Sequence, residues 1–342
     1  MQKTANNIRK SNELRTISLL LLLSALIYTV YILNNRQNVA PQRSQAVSNA
    51  DSCEANFTAV ASPSPTPPKI TRTPTPPTVG CINLGIDEYS QGNCSNIISI
   101  KLSPVKELNI LDTLYCNQQG ICDAEGMDNT GQTAYLVANK NSPAIYRLKV
   151  NPTPSPPTLT KVGKLSKKYE GLSFRPGDNH ATTVWGGARD NTIYKITYRT
   201  TGSTEEPKAQ VSNDIKSITW NNAGTFLYVS TGNNLLRYKY KADGSLTQDC
   251  PNGVCFNKSL PGKTDGMDMT TDGYIVGGYE SGNDIVFYFC NPLSDPNKCA
   301  VASSQRVSLT NYNQALQKLS PSCSNALDNL DGFTWLCGKS PM

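Results

Sequence analysis

The first feature of the hydrophobic pattern is a run from Ile17 to Leu33 whose only polar members besides its two tyrosines are Ser18, Ser24 and Thr29, with five consecutive leucines at Leu19 to Leu23 and no charge inside it. Counted from Leu14, about 20 residues at 1.5 Å rise match a hydrocarbon core of roughly 30 Å, so the pattern predicts a transmembrane helix over 14–33. Tyr28 and Tyr31 fall toward one end, where an interface would lie. Lys3, Arg9, Lys10 and Arg15 precede the run, while only Arg36 and Arg43 follow closely, which orients the N-terminus (1–13) toward the cytoplasm. The run is long for a signal-peptide core and no small-x-small site follows it directly. Residues 34–79 then turn polar and proline-rich. The stretch 61–78, ASPSPTPPKITRTPTPPT, has seven prolines in 18 residues. That composition favours polyproline II and a stalk of about 55 Å if extended.

From residue 80 to 342 the pattern changes to short alternating segments rich in β-branched and aromatic residues. Five of them follow a pattern of acid, glycine, apolar and polar residues, often followed by an aromatic, with Lys216-Ser217 in place of the acid and glycine in one. They are Glu125-Gly126-Met127-Asp128, Glu170-Gly171-Leu172-Ser173-Phe174, Lys216-Ser217-Ile218-Thr219-Trp220, Asp265-Gly266-Met267-Asp268-Met269 and Asp331-Gly332-Phe333-Thr334-Trp335. Their starts are 45, 46, 49 and 66 residues apart. Each of the first four leads through a turn to a second strand (135–137, 182–185, 226–229, 274–276), then a third (144–150, 192–198, 235–240, 284–289) and a weaker fourth, such as 158–164 or 306–309. Four strands per unit, repeated, is the signature of propeller blades, which bury their faces only against one another. The last motif leaves room for one strand, and the domain opens with strands (81–86, 97–102, 105–111) that lack a first partner. Joined, the ends complete one blade. The expected fold is all-β, a five-bladed β-propeller closed by strands from both termini; a six-bladed ring using 311–330 is the alternative, although Tyr312 to Leu319 reads as a short helix.

The stretches 125–150, EGMDNTGQTAYLVANKNSPAIYRLKV, and 265–289, DGMDMTTDGYIVGGYESGNDIVFYF, resemble NHL-type and gluconolactonase-like propeller repeats. The resemblance covers about two thirds of the outer domain and implies fold more than activity. It also implies that hydrolases of such a kind hold a divalent metal at the axis through Glu, Asp and Asn side chains.

Charge narrows the function classes. Residues 1–50 carry six basic groups and one acid, so most of the formal net charge of +6 belongs to the membrane flank and the outer domain is nearly neutral. No basic stripe supports nucleic-acid binding. Eleven cysteines with a single histidine, His180, and no paired zinc knuckles favour disulfides in an oxidising compartment over metal binding. Ten fall into close pairs: Cys81 with Cys94, Cys116 with Cys122, Cys250 with Cys255, Cys290 with Cys299, and Cys323 with Cys337. Local pairing is the simplest connectivity, although spacing alone does not decide it. Cys53, left over in the stalk, is available to link two chains.

Candidate chemistry lies at the heads of the first strands. Glu125, Glu170, Asp265 and Asp331, with Lys216 in the fifth place, should converge on one mouth of the channel. Like charges held close raise pKa values or recruit a cation, and oxygen-only ligands favour Ca²⁺. The same carboxylates could instead accept backbone N–H bonds from the neighbouring blade and lock blade to blade. The loops between second and third strands share this face and contain 139–142, Arg189, Asn191, 231–234, Tyr279 and Asn283. They are polar and aromatic-edged, which suits a glycan or peptide. Trp185 stands beside one of them, whereas Trp220 and Trp335 read as core. No G-x-S-x-G elbow, phosphate-cradling loop or histidine relay is present. The expected function is a membrane-anchored, extracytoplasmic binding or scaffold module that requires no cofactor. The alternative is a Ca²⁺-dependent hydrolase of lactonase or glycosidase kind using the four acids.

Overall fold

The computed structural model describes residues 83–89, 94–102, 106–131, 133–150, 156–318 and 330–336. The expected transmembrane helix, the stalk, Cys53, Cys81, Cys323 and Cys337 lie outside them. Among the described residues no helix is long and apolar enough to cross a membrane.

The chain opens with β1 (Asn83–Tyr89), β2 (Cys94–Lys101) and β3 (Glu107–Tyr115), followed by a four-residue helix, α1 (Cys116–Gln119). Three complete antiparallel units follow. They are β4 to β7 (Ala124–Asn129, Ala134–Ala138, Ala144–Lys149, Thr158–Lys164), β8 to β11 (Tyr169–Ser173, Thr183–Ala188, Thr192–Arg199, Gly202–Gln210) and β12 to β15 (Ser217–Trp220, Phe226–Ser230, Gly232–Tyr240, Leu246–Gln248). In the last, β16 (Asn257–Thr264) also pairs with β14, because an insertion braced by the Cys250–Cys255 disulfide splits the outer edge in two. The unit β17 to β20 (Met267–Met269, Ile275–Ser281, Asp284–Asn291, Ala300–Ser308) leads to α2 (Thr310–Leu316). Finally β21 (Gly332–Thr334) returns to pair with β1, Gly85 opposite Phe333, and supplies the missing innermost strand. The result is five blades, with the first closed by strands from both ends of the chain.

Hydrophobic alternation places a separate core at each blade interface. One cluster, for example, packs Trp185 of the third blade on Trp220 and Tyr238 of the fourth, and another packs Phe289 of the fifth on Trp335 of the first. The Trp185 and Trp220 rings meet edge to face at 5.0 Å. Outer strands are polar: β11 reads GSTEEPKAQ, and its charges and Pro207 blunt an exposed edge against pairing with other chains.

The five-residue motif acquires a geometric meaning at its second, third and fourth positions. The glycines mark where innermost strands touch backbone to backbone. A Cβ on Gly126 would lie 2.5 Å from the Gly171 Cα, and one on Gly171 would lie 2.8 Å from the Ile218 nitrogen. In the fourth blade Ser217 takes this place and its hydroxyl accepts from the Met267 N–H at 3.2 Å. The third residues, Met127, Leu172, Ile218, Met267 and Phe333, are buried between blades. The fourth residues form a hydrogen-bonded ring. Asp128 accepts from the Phe174 N–H (2.5 Å), Ser173 from the Trp220 N–H (3.1 Å), and Asp268 from both the Thr219 hydroxyl (3.3 Å) and the Trp335 N–H (2.8 Å). Asn129 closes the circle by donating to the Thr334 hydroxyl at 2.7 Å. The fourth residues thus lock blade to blade through backbone N–H groups, at Phe174, Trp220 and Trp335.

Three expected disulfides, Cys116–Cys122, Cys250–Cys255 and Cys290–Cys299, are formed, and Cys94 is also disulfide-bonded. Several connections are tighter than expected. β9 and β18 extend through Ala188 and Ser281, leaving only 189–191 and 282–283 as hairpin turns where longer polar loops were expected. The short helix also starts earlier, at Thr310.

Candidate functional site

The first mouth of the channel is organised around Arg189. Its hairpin is short because β9 and β10 pair up to Gly187 opposite Ile193, and Asn191 closes the turn with a left-handed φ of 61°. The guanidinium then reaches inward. It donates to Asp123 (3.1 Å), Glu125 (2.8 Å) and Glu170. Two β-bulges help to aim these acids, one at Gly126 in β4 and one at Glu170 in β8. Asp123 follows the Cys116–Cys122 loop in a left-handed conformation, φ 56°, and belongs to the site although no repeat position marks it.

Burial pushes the Glu125 carboxyl well above the ordinary range, and Asp331, Glu170 and Asp123 push it further while Arg189 pulls it back. Burial works in the opposite sense on Arg189, but the fields of Glu170, Asp123 and Glu125 outweigh it and hold the guanidinium protonated. Of the five expected head residues, Glu125 and Glu170 are thus joined through Arg189, and Asp331 is close enough for its charge to act on Glu125. Lys216 lines a cavity of about 220 Å³ together with Glu170, Arg189, Asn191 and Asp214. Asp265 pairs with Lys263 at 3.2 Å and keeps one buried oxygen without a partner. Among the described residues no group of three or more His, Cys, Asp or Glu side chains is placed to hold a metal ion.

The remaining expected residues stand apart from this cluster. Trp185 is fully buried and its indole N–H donates to Asp178 at 2.9 Å, which makes it part of the inter-blade core. Tyr279 packs its ring over Gly262, and Asn283 binds Thr310 and Asn313 at the start of α2. Asn139, in another of the expected loops, is buried and bonds both backbone groups of Tyr169 across the blade interface.

The opposite mouth holds a second cavity, about 270 Å³, to which all five blades contribute. Asp128 and Asp268 border it, with Phe174, Trp220 and Trp335. Burial raises both carboxyls. Asp128 is pushed well above its ordinary range, with the Asp268 charge adding to the effect, and Asp268 is pushed up to about 6 against several hydrogen bonds that lower it. The signal was present in the sequence: the fourth motif position is polar in all five repeats, whereas the first is acidic in four.

No family model matches this chain, and no curated protein matches it. Among solved structures, one from work on the de novo evolutionary emergence of a symmetrical protein is similar at 15% identity, covering 65% of this chain and 90% of that one with a TM-score of 0.36. A functionally unknown protein from Desulfotomaculum acetoxidans DSM 771 is similar at 12% identity, covering 66% and 67%, with a TM-score of 0.33. At these scores neither likeness bears on what this chain binds.

Proposed function

We propose that this chain is a membrane-displayed binding module. In this reading residues 14–33 anchor it, 34–79 hold the propeller off the surface, and the mouth beside Arg189 receives a polar ligand. The uncharged apolar run supports the anchor. The disulfides support an oxidising compartment for the propeller. The NHL-like blade motifs are consistent with a recognition scaffold and supply no reaction.

The observation that carries the reading is the cavity where Lys216 and Asp214 stand beside the Glu170–Arg189 pair. Charges of both signs around one small opening suit a peptide that brings a carboxylate to Lys216 and a basic group to Asp214. Such rim charges set selectivity and association rate more than raw affinity.

The test is a peptide and glycan array probed with the full chain in detergent and with Lys216→Glu. The wild type should retain zwitterionic peptides, and the variant should lose those carrying acids while gaining basic ones, at an unchanged melting temperature. Identical profiles for the two proteins would rule this mouth out. Retention in membranes after alkaline carbonate, with the propeller cleaved by protease added from outside intact cells, tests the display; release by carbonate would refute it.

A further inference from the structure

Every outer edge of a propeller carries backbone N–H and C=O groups that can pair with a further strand unless something guards them. Four of the five edges are guarded here, each by its own device. No residue of β3 is exposed along its length, and α2 lies against it. β7 presents the exposed side chains of Lys161 and Lys164. β11 sets Pro207 among Glu205, Glu206 and Lys208. In the fourth blade the insertion braced by Cys250–Cys255 splits the edge, and β16 contains Pro261.

β20 has none of these devices. Its sequence, AVASSQRVS, includes no proline, glycine or acid, and its one charge, Arg306, is balanced within the blade by Asp284 at 3.4 Å. Val301, Ala302, Ser304, Arg306 and Ser308 are all exposed, Val301 by 49%. β20 ends the strand order of its blade, so among the described residues no strand pairs with its outer side. A bulge at Ala302 interrupts its start, but such a bulge between third and fourth strands recurs in three other blades and does not set this edge apart. Ser303 to Ser308 then run on in regular register.

We infer that β20 is a dimerisation edge, pairing antiparallel with β20 of a second copy of this chain about a two-fold axis. Full overlap of the two strands sets Ser304 opposite its own counterpart and Arg306 opposite Ala302, so no like charges meet. A second copy fits this edge better than a free peptide, because its strand is already ordered and loses no backbone freedom on pairing. With one open edge per copy, assembly closes at two chains and does not run on into a fibre. A single strand pair lies at the small end of protein interfaces, which makes the dimer reversible.

The self-opposed position makes the test selective. In detergent the full chain should sediment as a reversible dimer. Ser304→Lys alone and Ser304→Asp alone should each sediment as monomers, since like charges then face one another across the axis, whereas an equal mixture of the two should recover the dimer. Both variants alter an exposed side chain, so their melting temperatures should match the wild type. Ser304→Cys under mild oxidation should give a covalent dimer linked through position 304 of both chains, because directly opposite residues lie about 4.5–5.5 Å apart at Cα, within reach of a disulfide. Ser308→Cys is the control: the two-fold holds its copies about 27 Å apart along the strands, so it should crosslink at least about tenfold more slowly. A monomeric wild type, a dimer that survives Ser304→Lys, no recovery in the mixture, or equal crosslinking at the two positions would overturn the pairing.

Discussion

Replacing Gly126 by alanine should destabilise the propeller by about 3 kcal/mol or more, although alanine is ordinarily the mildest substitution. The added methyl would lie 2.5 Å from the Gly171 Cα and 2.7 Å from the Glu170 carbonyl oxygen. Those atoms are backbone of the next blade and have no rotamer by which to retreat. Relief therefore requires two innermost strands to separate, and in a closed ring that displacement passes to the other interfaces. Gly171→Ala should behave alike, since its methyl would meet the Ile218 nitrogen at 2.8 Å. Gly202→Ala is the control: nothing lies within 4 Å of its Cβ, so its effect should stay within about 0.5 kcal/mol. Urea melts of the three variants decide the matter, and equal midpoints for Gly126→Ala and Gly202→Ala would show that the strands do not approach as described.

Asp268→Ala should cost about 3–5 kcal/mol, because it strips the acceptor from the Trp335 and Met269 N–H groups and from two threonine hydroxyls at once. Trp335 follows the closing strand, so the loss falls where the two ends of the chain meet. The same residue should give the protein an unusual pH profile. Its pKa rises from 3.8 to about 6 in the fold, so the folded protein takes up a proton before the unfolded chain does. Its contribution is therefore most favourable below about pH 4, falls as pH climbs from 4 to 6, and is fully lost above 6. A shift of this size corresponds to about 2–3 kcal/mol. Burial acts on Asp128 and Glu125 in the same direction. Glu205 and Asp190, whose pKa values are lowered, work the other way and limit the gain at the acid end. Thermal melts should accordingly move upward from pH 7.5 to pH 5, and Asp268→Asn should flatten that rise. A melting temperature that falls over this interval would contradict the account.

The blade count was legible because the repeat combines two physical requirements in five residues. Glycine appears where strands must touch, and an apolar residue follows where the next blade packs. The closure was legible from the strands left unpartnered at the two ends. The role of the acid was harder to read, since a carboxylate beside glycine looks the same in sequence whether it faces the axis or an arginine. Arg189 comes from the opposite end of a hairpin, and only the register of β9 on β10 shows that it turns inward. Asp123 belongs to no repeat position and directly follows the disulfide loop closed by Cys116 and Cys122. Asp128 and Asp268 were written in the motif throughout, but their meaning depends on which mouth the strand ends face. The burial of Trp185 is hidden for a related reason: its polar neighbours in sequence, Gly186 to Asn191, lie along a hairpin whose root is core.

The ring of five blades is closed by one short contact, the pairing of β21 with β1. Hydrogen exchange of the native full chain, read at the backbone amides of 332–335, tests it most directly. A ring closed there predicts that these amides exchange as slowly as those of β4 and β8, because all three strands open only when the ring does. Exchange of 332–335 at the rate of a free chain end, with β4 and β8 still protected, would show that the ring is open.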